Sequence, residues 1–166
     1  PAGTGEFDLI AIPRHDVLTR GRNTMTITGA PHRMTPARLE AASQSWRAQF
    51  EHLPKPWIAL IVGGSTRRRA FEPALAAALG SMASAMAEQT GGSLLITTSR
   101  RTGAAADSLL EEIKVPNFVY RWGDAGENPY AGYLALADAL VVTGDSVSMC
   151  SEACATGKPV YISAPS

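Results

Sequence analysis

The sequence predicts an α/β domain built on a doubly wound, mostly parallel sheet of the Rossmann type. From residue 57 onward, apolar runs of strand length alternate with segments of helical periodicity, which is the pattern of repeated βαβ units. The first of these runs, residues 57–62, is apolar at every position, as expected of a strand buried on both faces. Because crossovers between parallel strands are right-handed, the intervening helices are expected to cover both faces of the sheet.

The first 35 residues follow a different pattern. Residues 7–12 and 24–28 each predict a short strand, and the Arg-rich loop between them contains no amphipathic stretch of helix length. The two strands therefore belong either to the end of something larger or to an attachment at the edge of a sheet.

Residues 36–56 predict a helix followed by a rigid linker. Thr35 and Pro36 suit the N-cap and the first position of a helix. The apolar stripe that follows at helical spacing consists of Leu39, Ala42, Trp46, Phe50 and Leu53. Pro54 and Pro56 then end the helix and stiffen the connection to the next strand.

Residues 57–166 predict one Rossmann-like domain in which strands and helices alternate. The predicted strands are residues 57–62, 94–97, 117–120, 139–142 and 159–162. The predicted helices are residues 71–89, 104–113 and 128–137, and a last one that runs to residue 156. Asn128-Pro129 opens the third of these helices. Asp145 or Ser146 caps the last one, and Gly157 ends it.

Composition and charge exclude several classes of protein. The chain has 166 residues with 15 basic and 15 acidic side chains, so it lacks the basic excess of a dedicated nucleic-acid binder. Hydrophobic residues make up 45% of the chain, enough for a packed core. No apolar run approaches the roughly 18 residues of a transmembrane helix, and we expect no signal peptide. Because the 2 cysteines do not form a secreted disulfide framework, we expect an intracellular protein.

Motifs of catalysis and metal binding are missing from the sequence. His15, His32 and His52 lack the spacing of metal ligands, so we predict neither a metal site nor a cofactor. Cys150 and Cys154 lie on successive turns of one predicted helix, which indicates packing in the core. There is no Walker A loop, no dinucleotide fingerprint and no nucleophile elbow, and the catalytic residues stay unassigned.

The candidate ligand site lies in the loops that follow the strands. Ligands of open α/β sheets bind beyond the carboxyl ends of the strands, so these loops are expected to meet at one edge. Their glycines, hydroxyl groups and Arg side chains suit a phosphate group. The residues concerned are Gly63, Gly64, Ser65, Thr98, Ser99, Arg100, Arg101, Trp122, Asp145, Ser146 and Ser148.

Several of these features also have a plain structural explanation. Gly63-Gly64 forms either an anion-binding turn or an ordinary tight turn. Arg100 and Arg101 are either phosphate ligands or solvated loop residues. Trp122 either stacks on a base or covers the edge of the sheet.

The start of the last helix is the most specific segment. Ser146, Ser148 and the free N–H groups of the first helical turn form an anion site. Glu152 lies about two turns further along the helix. Its carboxylate either accepts hydrogen bonds from the two hydroxyls of a ribose or is an ordinary exposed carboxylate near a capped helix.

Several short segments match a known family. They are residues 29–33 and 35–36, 97–101 (Thr-Thr-Ser-Arg-Arg), 126–130 (Gly-Glu-Asn-Pro-Tyr), 145–149, 151–153 and 157–161. In these segments the chain resembles the family of the elongated-mitochondria fission protein, whose bacterial members are often labelled predicted nucleoside-diphosphate-sugar epimerases. The resemblance covers nearly the whole chain. It adds Asn128 and Tyr130 to the candidate ligand-binding residues.

The resemblance implies the C-terminal, donor-binding domain of a GT-B glycosyltransferase, similar to that of lipid-linked N-acetylglucosaminyltransferases. Its ligand would be a nucleoside diphosphate or nucleotide-sugar, with Glu152 at the ribose and Ser146 and Ser148 on the phosphate side. Asp145 departs from the small residues expected before the donor helix. Residues 1–35 would be the tail of an N-terminal domain of the same protein, which would carry the acceptor site and the catalytic base. The chain alone would then be inactive.

Three functions remain as alternatives. The first is nucleotide-diphosphosugar binding in a glycosyltransferase-like protein. The second is a nucleoside-diphosphate-sugar epimerase, because non-hydrolysing epimerases share the two-domain architecture. The third is a non-catalytic scaffold that recruits fission machinery at a membrane surface, although the chain has no basic amphipathic helix for direct membrane contact. We expect the protein in the cytoplasm or peripherally at a membrane, and its Arg- and Ala-rich composition points to a bacterial source.

Overall fold

A computed structural model describes residues 4–16 and 21–163 of the chain. The strands are β1 (Ile10–Pro13), β2 (Thr24–Ile27), β3 (Trp57–Val62), β4 (Ser93–Thr98), β5 (Asn117–Tyr120), β6 (Ala139–Thr143) and β7 (Val160–Ser163). The α-helices are α1 (Pro36–Phe50), α2 (Pro73–Gln89), α3 (Ala105–Glu111), α4 (Tyr130–Leu136) and α5 (Val147–Cys154). Short 3-10 turns lie at Thr4–Glu6 and Arg14–Asp16.

The main sheet is parallel throughout and has the order β5-β4-β3-β6-β7. Within the main sheet, the chain begins at the central strand β3, moves outward to β4 and β5, and then returns to β6 on the other side of β3. The strand order therefore reverses between β3 and β6. In doubly wound sheets, such a reversal opens a crevice at the carboxyl ends of the two strands. The predicted fold class is confirmed.

Two apolar layers hold the sheet between its helices. Trp57, Ala59 and Ile61 of β3 pack with α1, α4 and α5 on one face. Ile58 and Leu60, with Val62, pack with α2 and α3 on the other face. Because successive residues of a strand point to opposite faces, a strand covered on both sides has no position for a polar side chain. All six residues of β3 are accordingly buried.

The two N-terminal strands form a separate sheet. β1 and β2 pair in parallel, with Ile10 opposite Thr24, and neither strand joins the main sheet. The first predicted strand is shorter than expected: Phe7 and Leu9 precede β1 and are 52% and 61% exposed. β1 begins where Ile10 N–H donates to the Asn23 carbonyl at 2.8 Å, which is the start of the pairing with β2.

Side-chain caps and a proline explain where three of the described helices begin. Thr35 is the N-cap of α1, and its hydroxyl accepts from Arg38 N–H at 3.2 Å, as predicted. α2 begins at Pro73 rather than at residue 71, because the proline disfavours helical geometry at Glu72, which is extended with a ψ of 149°. Phe71 N–H donates to Ser65 Oγ at 2.9 Å outside the helix. Ser146, and not Asp145, caps α5. Side-chain caps thus fix the starts of α1 and α5, and a proline fixes the start of α2.

Gly132 allows α4 to lie directly against α1. A Cβ at this position would lie 2.5 Å from Trp46 Cγ, and Trp46 is buried. We expect Gly132→Ala to destabilise the protein by about 1–3 kcal/mol through overpacking. That loss exceeds the roughly 1 kcal/mol that alanine contributes as a better helix former. Urea denaturation monitored by circular dichroism measures the difference.

Trp46→Ala supplies the control for this experiment. In a Trp46→Ala background the collision is gone, so Gly132→Ala should be neutral or stabilising there. If Gly132→Ala stabilises the protein that retains Trp46, the described packing of α1 on α4 is wrong.

Candidate functional site

Two glycines form the turn that follows β3 at the reversal of strand order. Gly63 N–H donates to Thr143 Oγ1 of β6 at 2.7 Å, and Gly64 N–H donates to Asp145 Oδ2 at 3.1 Å. A Cβ at Gly63 would lie 2.2 Å from Asp145 Oδ2, so any side chain there would displace the carboxylate. Gly64 has a φ of 148°, and a Cβ would lie 2.2 Å from the Arg101 backbone. Both glycines are therefore required by close approach.

An ion pair between Arg101 and Asp145 closes the same turn. Arg101 Nη2 lies 2.7 Å from Asp145 Oδ2, and the Asp145 side chain is 7% exposed. Arg101 Nη1 also donates to the Ser65 carbonyl at 3.2 Å, and Ser65 N–H donates back to the Arg101 carbonyl at 3.0 Å. A nearly buried carboxylate requires a paired cation, and Arg101 supplies it. The loops after β3, β4 and β6 are thereby joined.

Hydroxyl groups after β4 complete this arrangement. Ser99 Oγ donates to the Gly63 carbonyl at 2.5 Å, and Thr102 Oγ1 donates to the same carbonyl. Ser99 N–H in turn donates to Thr102 Oγ1 at 2.9 Å. We call the residues Gly63, Gly64, Ser65, Ser99, Arg101, Thr102 and Asp145 the switch-point cluster. Thr102 was not among the candidate residues predicted from the sequence. Only its position directly after Arg100 and Arg101 pointed to a place at this edge.

The remaining candidates of this edge lie outside the cluster. Thr98 Oγ1 accepts from Trp122 N–H at 3.0 Å, while the Trp122 side chain is 61% exposed. Arg100 and Ser148 are exposed, and Ser146 is half-buried with its hydroxyl accepting from the Met149 N–H of α5. The structure thus separates Arg100, which faces solvent, from Arg101, which is committed to the ion pair.

Tyr130 and Glu152 form a second, distinct contact between α4 and α5. The Tyr130 hydroxyl donates to Glu152 Oε2 at 2.6 Å. Burial raises the pKa of Tyr130, and the Glu152 carboxylate raises it further, so the phenol stays protonated and remains a donor. Asn128 binds the start of α4, because its side-chain oxygen accepts from Tyr130 N–H at 3.0 Å.

Ser151 ties the N-terminal segment to α5. Ala30 N–H donates to Ser151 Oγ at 2.8 Å, and a Cβ at Gly29 would lie 2.8 Å from the same oxygen. Sequence reasoning assigned no role to Ser151. The match of residues 29–33 and 151–153 to one family was the only available hint that these segments meet.

The two cysteines of α5 have different environments. Cys150 is half-buried against the core, and burial, together with Cys154 and Asp145, raises the pKa of its thiol. Cys154 is exposed, so the predicted packing of both cysteines in the core is wrong for this one. α5 buries one narrow stripe that includes Ala153, and the next residue already faces solvent.

A small cavity of about 90 Å³ adjoins the switch-point cluster. Its lining includes Asp145, Gly64 and Thr143 and apolar side chains such as Phe71 and Leu75. Within residues 4–16 and 21–163, no group of three His, Cys, Asp or Glu side chains is placed to hold a metal ion. None of the helices in the same residues has both the length and the hydropathy needed to cross a bilayer.

Comparison with known proteins identifies the family. The family described as mitochondrial fission ELM1 matches residues 2–166. The chain belongs to the mitochondrial fission ELM1 family. The resemblance noted in the sequence is therefore confirmed.

Two relatives show how much of an ELM1-family protein the chain represents. It is 41% identical over 180 aligned residues to the mitochondrial fission protein ELM1 of Arabidopsis thaliana, covering 94% of this chain and 42% of that protein. It is 32% identical over 155 residues to the uncharacterized protein RP120 of Rickettsia prowazekii, covering 92% of this chain and 43% of that protein. The chain spans less than half the length of these relatives.

The fold of this ELM1-family chain is shared with a glycosyltransferase. The structure of the family 9 glycosyl transferase from Veillonella parvula superposes with a TM-score of 0.53 at 12% sequence identity. The superposition covers 81% of this chain and 37% of that chain. At this identity the likeness concerns the fold alone.

The ion pair of the switch-point cluster is testable by its effect on stability. We expect Arg101→Ala to lower the free energy of unfolding by about 1–2 kcal/mol, because Asp145 loses its cation in a poorly hydrated position. Arg101 is itself 37% exposed, which keeps the loss below the 3–5 kcal/mol typical of fully buried pairs. Urea denaturation measures the change.

Arg100→Ala is the matched control, since its side chain is exposed. We expect a change of less than about 0.5 kcal/mol for this neighbour. Asp145→Asn introduced together with Arg101→Ala should recover part of the loss, because no buried charge then remains unpaired. Equal effects of Arg100→Ala and Arg101→Ala would contradict the described ion pair.

Proposed function

We propose that the chain is the nucleotide-diphosphosugar-binding domain of a glycosyltransferase-like protein. The diphosphate binds at the carboxyl edge of the sheet and the ribose binds at Glu152. One observation carries the proposal: the loops after β3, β4 and β6 meet at the reversal of strand order, which is where ligands of doubly wound sheets bind. The Gly63 and Gly64 N–H groups already donate to Thr143 Oγ1 and Asp145 Oδ2, so the phosphates bind to other donors at this edge.

The positive charge available to a diphosphate comes from residues outside the ion pair. A diphosphate that displaced Asp145 from Arg101 would leave two anions near each other, and charges 4 Å apart repel by about 4 kcal/mol near a protein surface. Arg101 therefore stays with Asp145 in the bound state. Arg100, which is exposed, and the N-terminus of α5 beside Ser146 and Ser148 bind the phosphates.

A second domain completes the site in this proposal. Within the described residues, the sheet of β1 and β2 has two strands and exposes Met25. Phe7 and Leu9, just before β1, are exposed as well. A two-stranded sheet has little stability of its own, and parallel strands are normally covered on both faces. Residues 1–35 accordingly belong to an N-terminal domain of the same protein, which supplies the acceptor site and the catalytic base.

The environment of Asp145 favours a second candidate, a non-catalytic scaffold. This carboxylate lies at the crevice where a diphosphate needs positive charge, and Arg101, Ser99 and Thr102 are already used within the switch-point cluster. In a scaffold that binds no anion, these polar groups can pair with one another at no cost to ligand binding. The relative from Arabidopsis thaliana is named a mitochondrial fission protein, which accords with a recruiting role.

Calorimetric titration with UDP, GDP, ADP and dTDP, each with and without an attached sugar, separates the two candidates. We expect saturable binding of at least one diphosphate, weakened about tenfold or more by Glu152→Ala, because hydrogen bonds to a carboxylate are among the strong ones. Glu111→Ala on α3, an exposed glutamate of another helix, is the control and should leave binding unchanged.

The longest natural polypeptide that contains this chain is titrated in parallel. Absence of any diphosphate binding in that polypeptide would reject the donor site in favour of the scaffold. Incubation with nucleotide-sugar alone then distinguishes the enzyme classes, because only an epimerase turns over without an acceptor.

A further inference from the structure

One hydrogen bond joins α4 to α5 on the side of the sheet that carries the proposed ribose site. The Tyr130 hydroxyl donates to Glu152 Oε2 at 2.6 Å. Tyr130 is the first residue of α4, and Asn128 Oδ1 fixes this start by accepting from Tyr130 N–H at 3.0 Å. The buried Pro129 precedes it directly. The hydrogen bond from Tyr130 N–H to Asn128 therefore fixes the backbone from which the phenol reaches Glu152 on α5.

This hydrogen bond leaves most of the Glu152 carboxylate available. A carboxylate has about four acceptor positions, and Tyr130 occupies one of them. In the described part of the chain, no cationic side chain forms an ion pair with Glu152. The second oxygen of its carboxylate is either accessible to solvent or hydrogen-bonded. A half-buried carboxylate that is held by a neutral donor keeps its full charge for a further ligand.

The geometry points to Tyr130 as a positioning residue for ribose recognition, an inference that rests on the proposed function. Two adjacent ribose hydroxyls donate to one carboxylate only when it presents its oxygens in a fixed orientation. A glutamate side chain loses up to about 2 kcal/mol of rotamer entropy when it is ordered. Tyr130 orders Glu152 before the ligand arrives, so that this loss does not oppose binding.

Tyr130→Phe tests the inference because it removes the hydroxyl and keeps the ring. The ligands are a ribonucleoside diphosphate and its 2′,3′-dideoxy counterpart, titrated into the longest natural polypeptide that contains this chain. The unaltered protein should prefer the ribose form about tenfold or more, and Tyr130→Phe should reduce this preference about fivefold. The loss should fall on the ribose form, while the affinity for the dideoxy form stays unchanged.

Tyr133→Phe is the matched control. Tyr133 lies on the same helix, is buried, and donates its hydroxyl to the Phe118 carbonyl at 3.3 Å instead of to Glu152. Its removal should leave the preference for ribose unchanged. Glu152→Gln provides a second variant: Tyr130→Phe should have no further effect on the preference in that background.

The outcomes separate this inference from the function on which it rests. If the unaltered protein binds neither ligand, the donor site itself is rejected, and the role of Tyr130 with it. If the protein prefers ribose and Tyr130→Phe keeps that preference, the positioning role is overturned while the donor site stands. If Tyr130→Phe weakens both ligands equally, Tyr130 is structural only, and the inference is also overturned.

Discussion

An ion pair between Arg101 and Asp145 lies where the strand order of the main sheet reverses, and the surrounding loops depend on it. The Asp145 side chain is 7% exposed, so its charge is stable there only beside the guanidinium. The carboxylate fits because residue 63 is glycine, and the Arg101 backbone fits because residue 64 is glycine. One charge pair and two residues without side chains therefore fix the loops after β3, β4 and β6 relative to one another.

The same constraint divides the charge of this edge between structure and ligand. Arg100 and Arg101 are adjacent in sequence, yet the first is exposed and the second is held by Asp145 and the Ser65 carbonyl. A count of arginines would overstate the positive charge that an anion meets, because Asp145 cancels one of them. Any anion bound at this edge must instead use exposed side chains and backbone N–H groups. The proposed diphosphate geometry follows from this division.

The fold was predictable from the sequence because the central strand is buried on both faces. β3 contains no polar position, and such a run is compatible with a parallel sheet covered on each side. The ion pair was not predictable, since Arg101 and Asp145 are far apart in sequence and Asp145 also suits a helix cap. Cys154 was placed wrongly because helical spacing relates it to Cys150 without giving the width of the buried stripe. Local sequence patterns are enough to predict helices and strands. Contacts between loops can be predicted only when the order of the strands in the sheet is known.

α5 and the residue before its N-cap contact three other parts of the molecule. Just before its first turn, Asp145 joins the helix to the loop after β4. One turn further, Ser151 binds the Ala30 N–H of the N-terminal segment, and the next residue, Glu152, binds Tyr130 of α4. Because an α-helix is stiff over two turns, the Ser151 and Glu152 contacts share one rigid support. If Glu152 binds a ribose as proposed, the adjacent Ser151 places that ribose next to the contact between α5 and the N-terminal segment.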